Sequence, residues 1–128
     1  MDTTELEAAY RELTKAGEAD KVGDTIGPGE PWSADFVLAH VVASSRMLAA
    51  ASAELLAGRI PVIDNRPTQS WHYLSAIVES AAGRRELLHM VRRSGHELVI
   101  LVGQLSPEQT ATGPFAGPTD PDPGRVVR

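Results

Sequence analysis

The feature that most constrains this chain of 128 residues is the stretch 68–105, where apolar side chains recur at helical spacing. The recurring residues are Trp71, Leu74, Ile77, Val78, Ala81, Leu88, Val91, Leu98, Leu101, Val102 and Leu105. Gly83 and Gly95 interrupt the pattern, and each costs about 1 kcal/mol relative to alanine inside a helix. The spacing therefore predicts one long helix, or two helices that divide near Gly83.

Two earlier segments carry the same helical signature. Residues 3–17 place Leu6, Ala9, Tyr10 and Leu13 on one face. Residues 33–57 begin at Ser33, a favourable N-cap, and are expected to end at Gly58. The predicted inner face of this helix holds Val37, His40, Val41, Ser44, Met47, Leu48, Ala51 and Leu55. Its outer face is predicted to hold Asp35, Ser45, Arg46 and Glu54.

Three helical segments with an apolar face each predict an all-α protein, an antiparallel helical bundle of three main helices over residues 1–106. Residues 98–105 are apolar on more than one face and need cover that three helices do not easily provide. We therefore expect a homodimer to complete the bundle. Residues 107–128 contain five prolines and three glycines, which predicts an extended or disordered tail. In the loop 59–67, Val62 and Ile63 are expected to turn inward.

Composition excludes several classes of function. The net charge of −5 disfavours nucleic acid as a partner, because binding to phosphates needs a basic surface. The absence of cysteine excludes disulfides, thiolate catalysis and cysteine-ligated zinc. The polar N-terminus does not resemble a signal peptide, and no uninterrupted apolar run approaches a membrane span. We therefore expect a soluble cytoplasmic protein without membrane partners. Only two of the twelve basic residues are lysine, which suggests a GC-rich, actinobacterial genome.

One short motif resembles a known family. The segment WSADFVLAHVV contains, in order, Trp32, Ser33, Asp35, Leu38, Ala39 and His40. It resembles the start of the second helix in the DinB-like superfamily of four-helix bundles, which includes the N-terminal domain of mycothiol-dependent maleylpyruvate isomerase. The loop IDNRP at 63–67, followed by Trp71, resembles one actinobacterial branch of that group. The resemblance covers residues 5–110 and implies a DinB-like, incomplete four-helix bundle.

The resemblance also bears on metal binding. In metal-binding members the histidine of helix two is one ligand, and two more come from an HxxxH motif in the final helix. Only His40 has a counterpart here, and no HxxxH precedes Arg128. The resemblance thus implies His40 as a single ligand at most, for a divalent ion such as zinc or nickel. We expect no bound cofactor in the chain as it stands.

Three interpretations of His40 stay open: a buried structural residue, the wall of a ligand pocket, or a metal ligand. The last would need substitutes from Asp64, His72, His89, His96 or another chain. His89 and His96 are seven residues apart, about 10 Å along a helix, and cannot hold one ion together. If the third helix runs antiparallel to the second, His72 lies far from His40.

Asp64, Asn65 and Arg66 form the most polar cluster outside the helices. Asp64 and Asn65 suit a turn before the next helix, whereas Arg66 suits an anionic ligand or an acid across the dimer. The aromatic residues Trp32, Phe36, Trp71 and Tyr73 either plug one end of the bundle or line a cavity. The candidate ligand-binding residues are His40, Asp64, Asn65, Arg66 and Trp71.

Three functions follow from these observations. The first is a non-catalytic dimer that binds a small ligand between its helices. The second, implied by the resemblance, is a metal-dependent thiol transferase or isomerase whose site is completed by another chain or a missing helix. The third is a protein–protein interaction module that uses the apolar third helix. The missing ligands favour a protein that is not an enzyme.

Overall fold

The computed structural model describes residues 1–19, 25–26 and 31–111, and most of these residues are helical. The four longer helices are α1 (Thr4–Glu18), α2 (Ala34–Leu56), α3 (Trp71–Ser80) and α4 (Arg84–Gly103). The short elements are β1 (Thr25–Ile26), β2 (Pro31–Trp32), a 3₁₀ helix (Arg66–Gln69) and α5 (Pro107–Thr110). The two strands pair antiparallel, with Thr25 opposite Trp32. The prediction of an all-α protein is confirmed.

The ends of α2 lie where the sequence predicts them. The side chain of Ser33 accepts a hydrogen bond from the amide of Phe36, as an N-cap does. At the other end Gly58 takes the left-handed conformation, with φ of 83°, and its amide donates to the carbonyl of Leu55 at 3.0 Å. A glycine adopts this conformation without a steric penalty, so it terminates the helix cleanly.

The stretch 68–105 divides into two helices. α3 ends at Ser80, and α4 begins at Arg84 after Gly83, whose φ is 92°. A positive φ at Gly83 breaks the helix and redirects the chain. Gly95, by contrast, lies inside α4, where the ring of Tyr10 packs against it. A Cβ at this position would lie 2.6 Å from the ring, so the glycine permits close contact between α1 and α4.

Helices α2 and α4 run in the same direction. The first turn of α2 meets the first residue of α4 where Arg84 Nε donates to Asp35 Oδ1 at 2.7 Å. Beyond the other end of α4, Gln109 Nε2 donates to the carbonyl of Leu55 at 3.1 Å. The antiparallel arrangement expected for these two helices is therefore wrong. The reason is that the segment 57–70 returns to the start of α2 before α3 begins.

Helix α1 runs antiparallel to α4. The N-terminal amine of Met1 donates to the carbonyl of Leu105 at 3.0 Å, and Gly17 lies against Leu88. One group of buried residues links α2, α3 and α4, and includes Leu38, Val42, Leu74, Leu87 and Val91. A second group links α2 with the later turns of α4, and comprises Ala49, Leu55, Leu98, Val102 and Leu105. The helices thus pack as a bundle.

The buried face of α2 differs from the inner face that the sequence predicts. Val37, His40, Val41, Ser44, Met47 and Leu48 are only partly buried. The buried face instead comprises Leu38, Ala39, Val42, Ala43, Ser45, Ala49, Ala51, Ser52 and Leu55. Ser45, assigned above to the outer face, is buried and hydrogen-bonds the hydroxyl of Tyr10. Because other helices cover α2 on several sides, its polarity pattern alone does not define one inner face.

Two expectations about the connecting segments are also corrected. Val62 is 96% exposed and Ile63 is exposed too, so neither turns inward. The predicted extended tail begins with α5, because Ser106 and Gln109 form a reciprocal capping box around a proline at the first helical position. The rest of that tail, 112–128, lies outside the described residues.

The chain itself covers much of the apolar end of α4. Leu98, Val102 and Leu105 are buried against α2 and its neighbours, whereas Ile100 remains 51% exposed. Among the described residues, α2 is also long and apolar enough to span a membrane. However, 44% of that apolar window is buried inside the bundle, and the core helix of a soluble protein meets the same criterion. The length of α2 is thus weak evidence for a membrane.

Candidate functional site

The histidine that motivated the family resemblance lies in the second turn of α2 and is half-buried. Its Nδ1 atom is 2.6 Å from the carbonyl oxygen of Thr68. Because a carbonyl oxygen only accepts hydrogen bonds, Nδ1 of His40 must carry the proton and donate it. In the neutral ring, Nε2 then has the free electron pair.

The hydrogen bond from His40 continues into the loop before α3. Thr68 is 1% exposed, and its hydroxyl lies 2.8 Å from the carbonyl oxygen of Asn65 and 2.7 Å from the Asn65 side-chain oxygen. The chain His40–Thr68–Asn65 therefore ties the 3₁₀ helix to the start of α2. We call residues 64–70 together with this attachment the docked loop.

Arg66 and Asp64 bind each other within the docked loop. Arg66 Nε donates to Asp64 Oδ1, and Arg66 Nη2 donates to Asp64 Oδ2, both at 2.9 Å. The amide of Arg66 also donates to Asp64 Oδ1 at 3.0 Å. These bonds to Arg66 lower the pKa of Asp64 to about 2, and the carboxylate raises the pKa of Arg66. These contacts match a structural turn, and ligand binding by Arg66 stays a prediction.

The aromatic residues gather at the same end of α2. Trp71 is 54% exposed, and the centroid of its ring lies 4.3 Å from the centroid of the Phe36 ring. Trp32 is buried, and the centroid of its ring lies 5.2 Å from the centroid of the His40 imidazole. The structure thus brings His40, Asn65 and Trp71 into one region. Thr68 links His40 to Asn65, and Phe36 of α2 contacts Trp71. It places His72 at the start of α3, also toward this end.

The residues present do not fit the metal site that the resemblance implies. Among residues 1–19, 25–26 and 31–111, no group of three histidine, cysteine, aspartate or glutamate residues is placed to hold an ion. His72, His89 and His96 are all exposed. His40 therefore has no companion ligands in the described part of the chain.

A second candidate site, which sequence analysis missed, lies between α2 and α4. It is a groove of about 370 Å³, and we call it the α2–α4 groove. Its lining residues are Arg46, Ala49, Ala50 and Ala53 from α2, and His89, Met90, Arg93, Ser94 and Glu97 from α4. The α2 residues follow an i, i+3, i+4, i+7 stripe, so they share one helical face.

The parallel direction of the two helices determines which residues face each other across the groove. Asp35 of α2 contacts Arg84 of α4. Because both helices rise equally per residue, an α2 residue and the α4 residue about 49 positions later lie level with each other along the helix axes. Arg46 and Arg93 are 47 positions apart, so they lie on opposite walls of the groove with an offset of about 3 Å along the helix axes. Two guanidinium-bearing side chains therefore flank a floor of small alanines.

The charges in the groove differ from those of the whole chain. Arg46 and Arg93 are exposed, and neither forms an ion pair within the described residues. Glu97, one helical turn after Arg93, is the acidic residue of the lining. Two arginines and one glutamate leave a formal charge of +1, whereas the whole chain carries −5. The groove is thus a locally cationic surface on an acidic protein.

Four other arginines of the described chain are paired with acids. Arg59 pairs with Glu54, Arg66 with Asp64, Arg84 with Asp35 and Arg92 with Glu18. The contrast with Arg46 and Arg93 could not be seen in the sequence, because none of these four pairs has the i, i+3 or i+4 separation that would suggest an ion pair on one helix. The alanine stripe after Arg46 was visible, but the helix facing it was not.

Comparison with known proteins returned no matching family model, no matching curated protein and no matching solved structure. The resemblance to the DinB-like superfamily consequently rests on the residues quoted above and stays a prediction.

Proposed function

We propose that this protein is a non-catalytic helical protein that binds a small ligand in the α2–α4 groove. The observation that carries the proposal is the groove itself, with its alanine floor and two arginines that have no acidic partner in the described chain. Its volume of about 370 Å³ lies within the range of small-molecule sites, roughly 300–1,000 Å³.

In this proposal His40 has a structural role. Its protonated Nδ1 holds the docked loop through Thr68, and the described residues supply no further metal ligands. A metal-dependent thiol transferase or isomerase would need those ligands from another chain or from residues outside the described ranges. The DinB-like resemblance supports the helical architecture of the proposal, without the family's metal chemistry.

A homodimer forms the second part of the proposal. Ile100 is half exposed on α4, next to the partly buried Val99 and Leu101. A second copy of the chain placed over these residues would remove apolar surface from water, which is the main driving force for association. The same exposed residues would support a different protein partner, so the oligomeric state separates the two interpretations.

A dye titration with groove-blocking variants tests ligand binding. The probe is 1-anilinonaphthalene-8-sulfonate, whose fluorescence rises in apolar surroundings. We expect saturable binding of one dye per chain, at least tenfold weaker in Ala50→Phe, because the ring fills the exposed groove. Ala9→Phe is the matched control, since Ala9 is an exposed alanine on α1 outside the groove. Equal affinity in all three proteins would contradict the proposal.

A further inference from the structure

We infer that the α2–α4 groove selects an organic molecule with one anionic end, such as a carboxylate or sulfonate, and an apolar body. This inference rests on the proposed function and specifies the ligand class for the same groove. It follows from three observations: the positions of the two arginines, the position of Glu97 and the character of the floor.

Arg46 and Arg93 provide the anion-binding part of the groove. They project from different helices at nearly the same height, so both can reach one group between them. A guanidinium group binds a carboxylate or sulfonate through two parallel N–H donors. Because neither arginine is engaged by an acid in the described chain, binding an anion there breaks no ion pair.

Glu97 limits the ligand to one anionic end. It follows Arg93 by one turn of α4, toward the part of the groove where Ala50 and Ala53 lie on α2. A second anionic group in that part would be repelled by the carboxylate. The ligand is therefore charged at the level of the arginines and uncharged beyond it.

The alanines determine the character of the uncharged part. Ala49, Ala50 and Ala53 present methyl groups at i, i+1 and i+4, which form a shallow apolar surface without hydrogen-bonding groups. An aromatic or branched aliphatic body fits this surface better than a sugar or a peptide.

Two dyes of matched shape test the inference. Anilinonaphthalene sulfonate carries one negative charge, and N-phenyl-1-naphthylamine is the same ring system without the sulfonate. We expect the anionic dye to bind at least tenfold more tightly than the neutral one. Arg46→Gln and Arg93→Gln should each weaken the anionic dye about tenfold, since a charge-assisted bond is lost. Both variants should change the affinity for the neutral dye less than twofold.

One further variant serves as a control, and a second tests the role of Glu97. Lys15→Gln removes one positive charge from an exposed position on α1 and should leave both affinities unchanged. Glu97→Gln should strengthen binding of the anionic dye about threefold, because it removes the opposing charge. Circular dichroism establishes that each variant folds.

The possible failures are distinguishable. If both dyes bind the wild type equally and the arginine variants bind like the wild type, the inference is overturned while the groove remains a binding site. If neither dye binds, the result contradicts both the inference and the proposed function.

Discussion

The imidazole of His40 and the backbone carbonyl of Thr68, 28 residues apart in sequence, are joined by a hydrogen bond of 2.6 Å. This bond attaches the loop before α3 to the beginning of α2. It explains how the chain returns along α2 after Gly58, so that α4 can start beside Asp35.

The first prediction concerns this attachment. His40→Ala should lower the free energy of unfolding by about 1–2 kcal/mol, because the buried carbonyl of Thr68 loses its donor. His40→Asn, which retains an N–H donor near the Nδ1 position, should recover part of the loss. Chemical denaturation measures both effects.

Hydrogen exchange localises the same effect. In His40→Ala, amides of the docked loop should exchange faster, while those in the middle of α4 should keep their order of protection. If the loop retains wild-type protection in His40→Ala, the bond to Thr68 does not hold it.

The second prediction concerns the contact between Tyr10 and Gly95. Gly95→Ala should destabilise the protein by about 1–3 kcal/mol, because the new methyl group would lie 2.6 Å from the Tyr10 ring. Gly103→Ala is the matched control: among the described residues, its Cβ would meet only Thr3 Cγ2, at 3.9 Å. That substitution should be neutral or stabilise by up to about 1 kcal/mol, as alanine favours the helix.

A double-mutant cycle isolates the steric cause. In a Tyr10→Ala background the ring is absent, so Gly95→Ala should no longer destabilise and should reflect helix propensity alone. An equal loss of stability with and without the tyrosine ring would show that the cause lies elsewhere.

The third prediction concerns the carboxyl group of Asp64. Its bonds to Arg66 lower its pKa from the ordinary value of 3.8 to about 2. Because the folded-state pKa is lowered, this stabilisation is fully present above pH 3.8 and is lost as the pH falls through about 2. The side-chain carboxyl carbon of Asp64 should therefore titrate by NMR with a midpoint near 2.

Arg66→Gln is the variant that tests the origin of this shift. Without the guanidinium group, the midpoint for Asp64 should rise toward its ordinary value. A midpoint near 4 in the unmodified protein would mean that the two side chains do not form this pair in solution.

The fourth prediction concerns the proposed homodimer. Light scattering at micromolar concentration should give twice the mass of one chain. Ile100→Asp should give the monomer mass, because it places a charge on the exposed apolar side of α4. Val62→Asp, an equally drastic change at a highly exposed loop residue, should leave the dimer intact. A monomeric wild-type protein would refute this part of the proposal.

The helix boundaries were predictable because their signals are local. Ser33 caps α2, Gly58 ends it, and Gly83 divides the third helical region. The buried face of α2 was not predictable, because which face is buried depends on the neighbouring helices. Ser45 illustrates this point: it resembles a surface residue in the sequence, yet it is buried beneath Tyr10.

The candidate site was predictable only in part. His40, Asn65 and Trp71 were candidate ligand-binding residues in the sequence, and the structure places them toward one end of α2. The α2–α4 groove was not foreseen, because Arg46 and Arg93 face each other only when α2 and α4 run parallel. That direction depends on the return of residues 57–70, which leaves no periodic signal in the sequence.

The most direct test of the central claim is a map of amide chemical shifts during titration with anilinonaphthalene sulfonate. We predict that the largest changes occur in the α2–α4 groove, at Ala49, Ala50, Ala53, Met90 and Ser94, and that Thr68 and Trp71 change little. Changes concentrated around His40 and the docked loop, or scattered over the surface without saturation, would contradict the account.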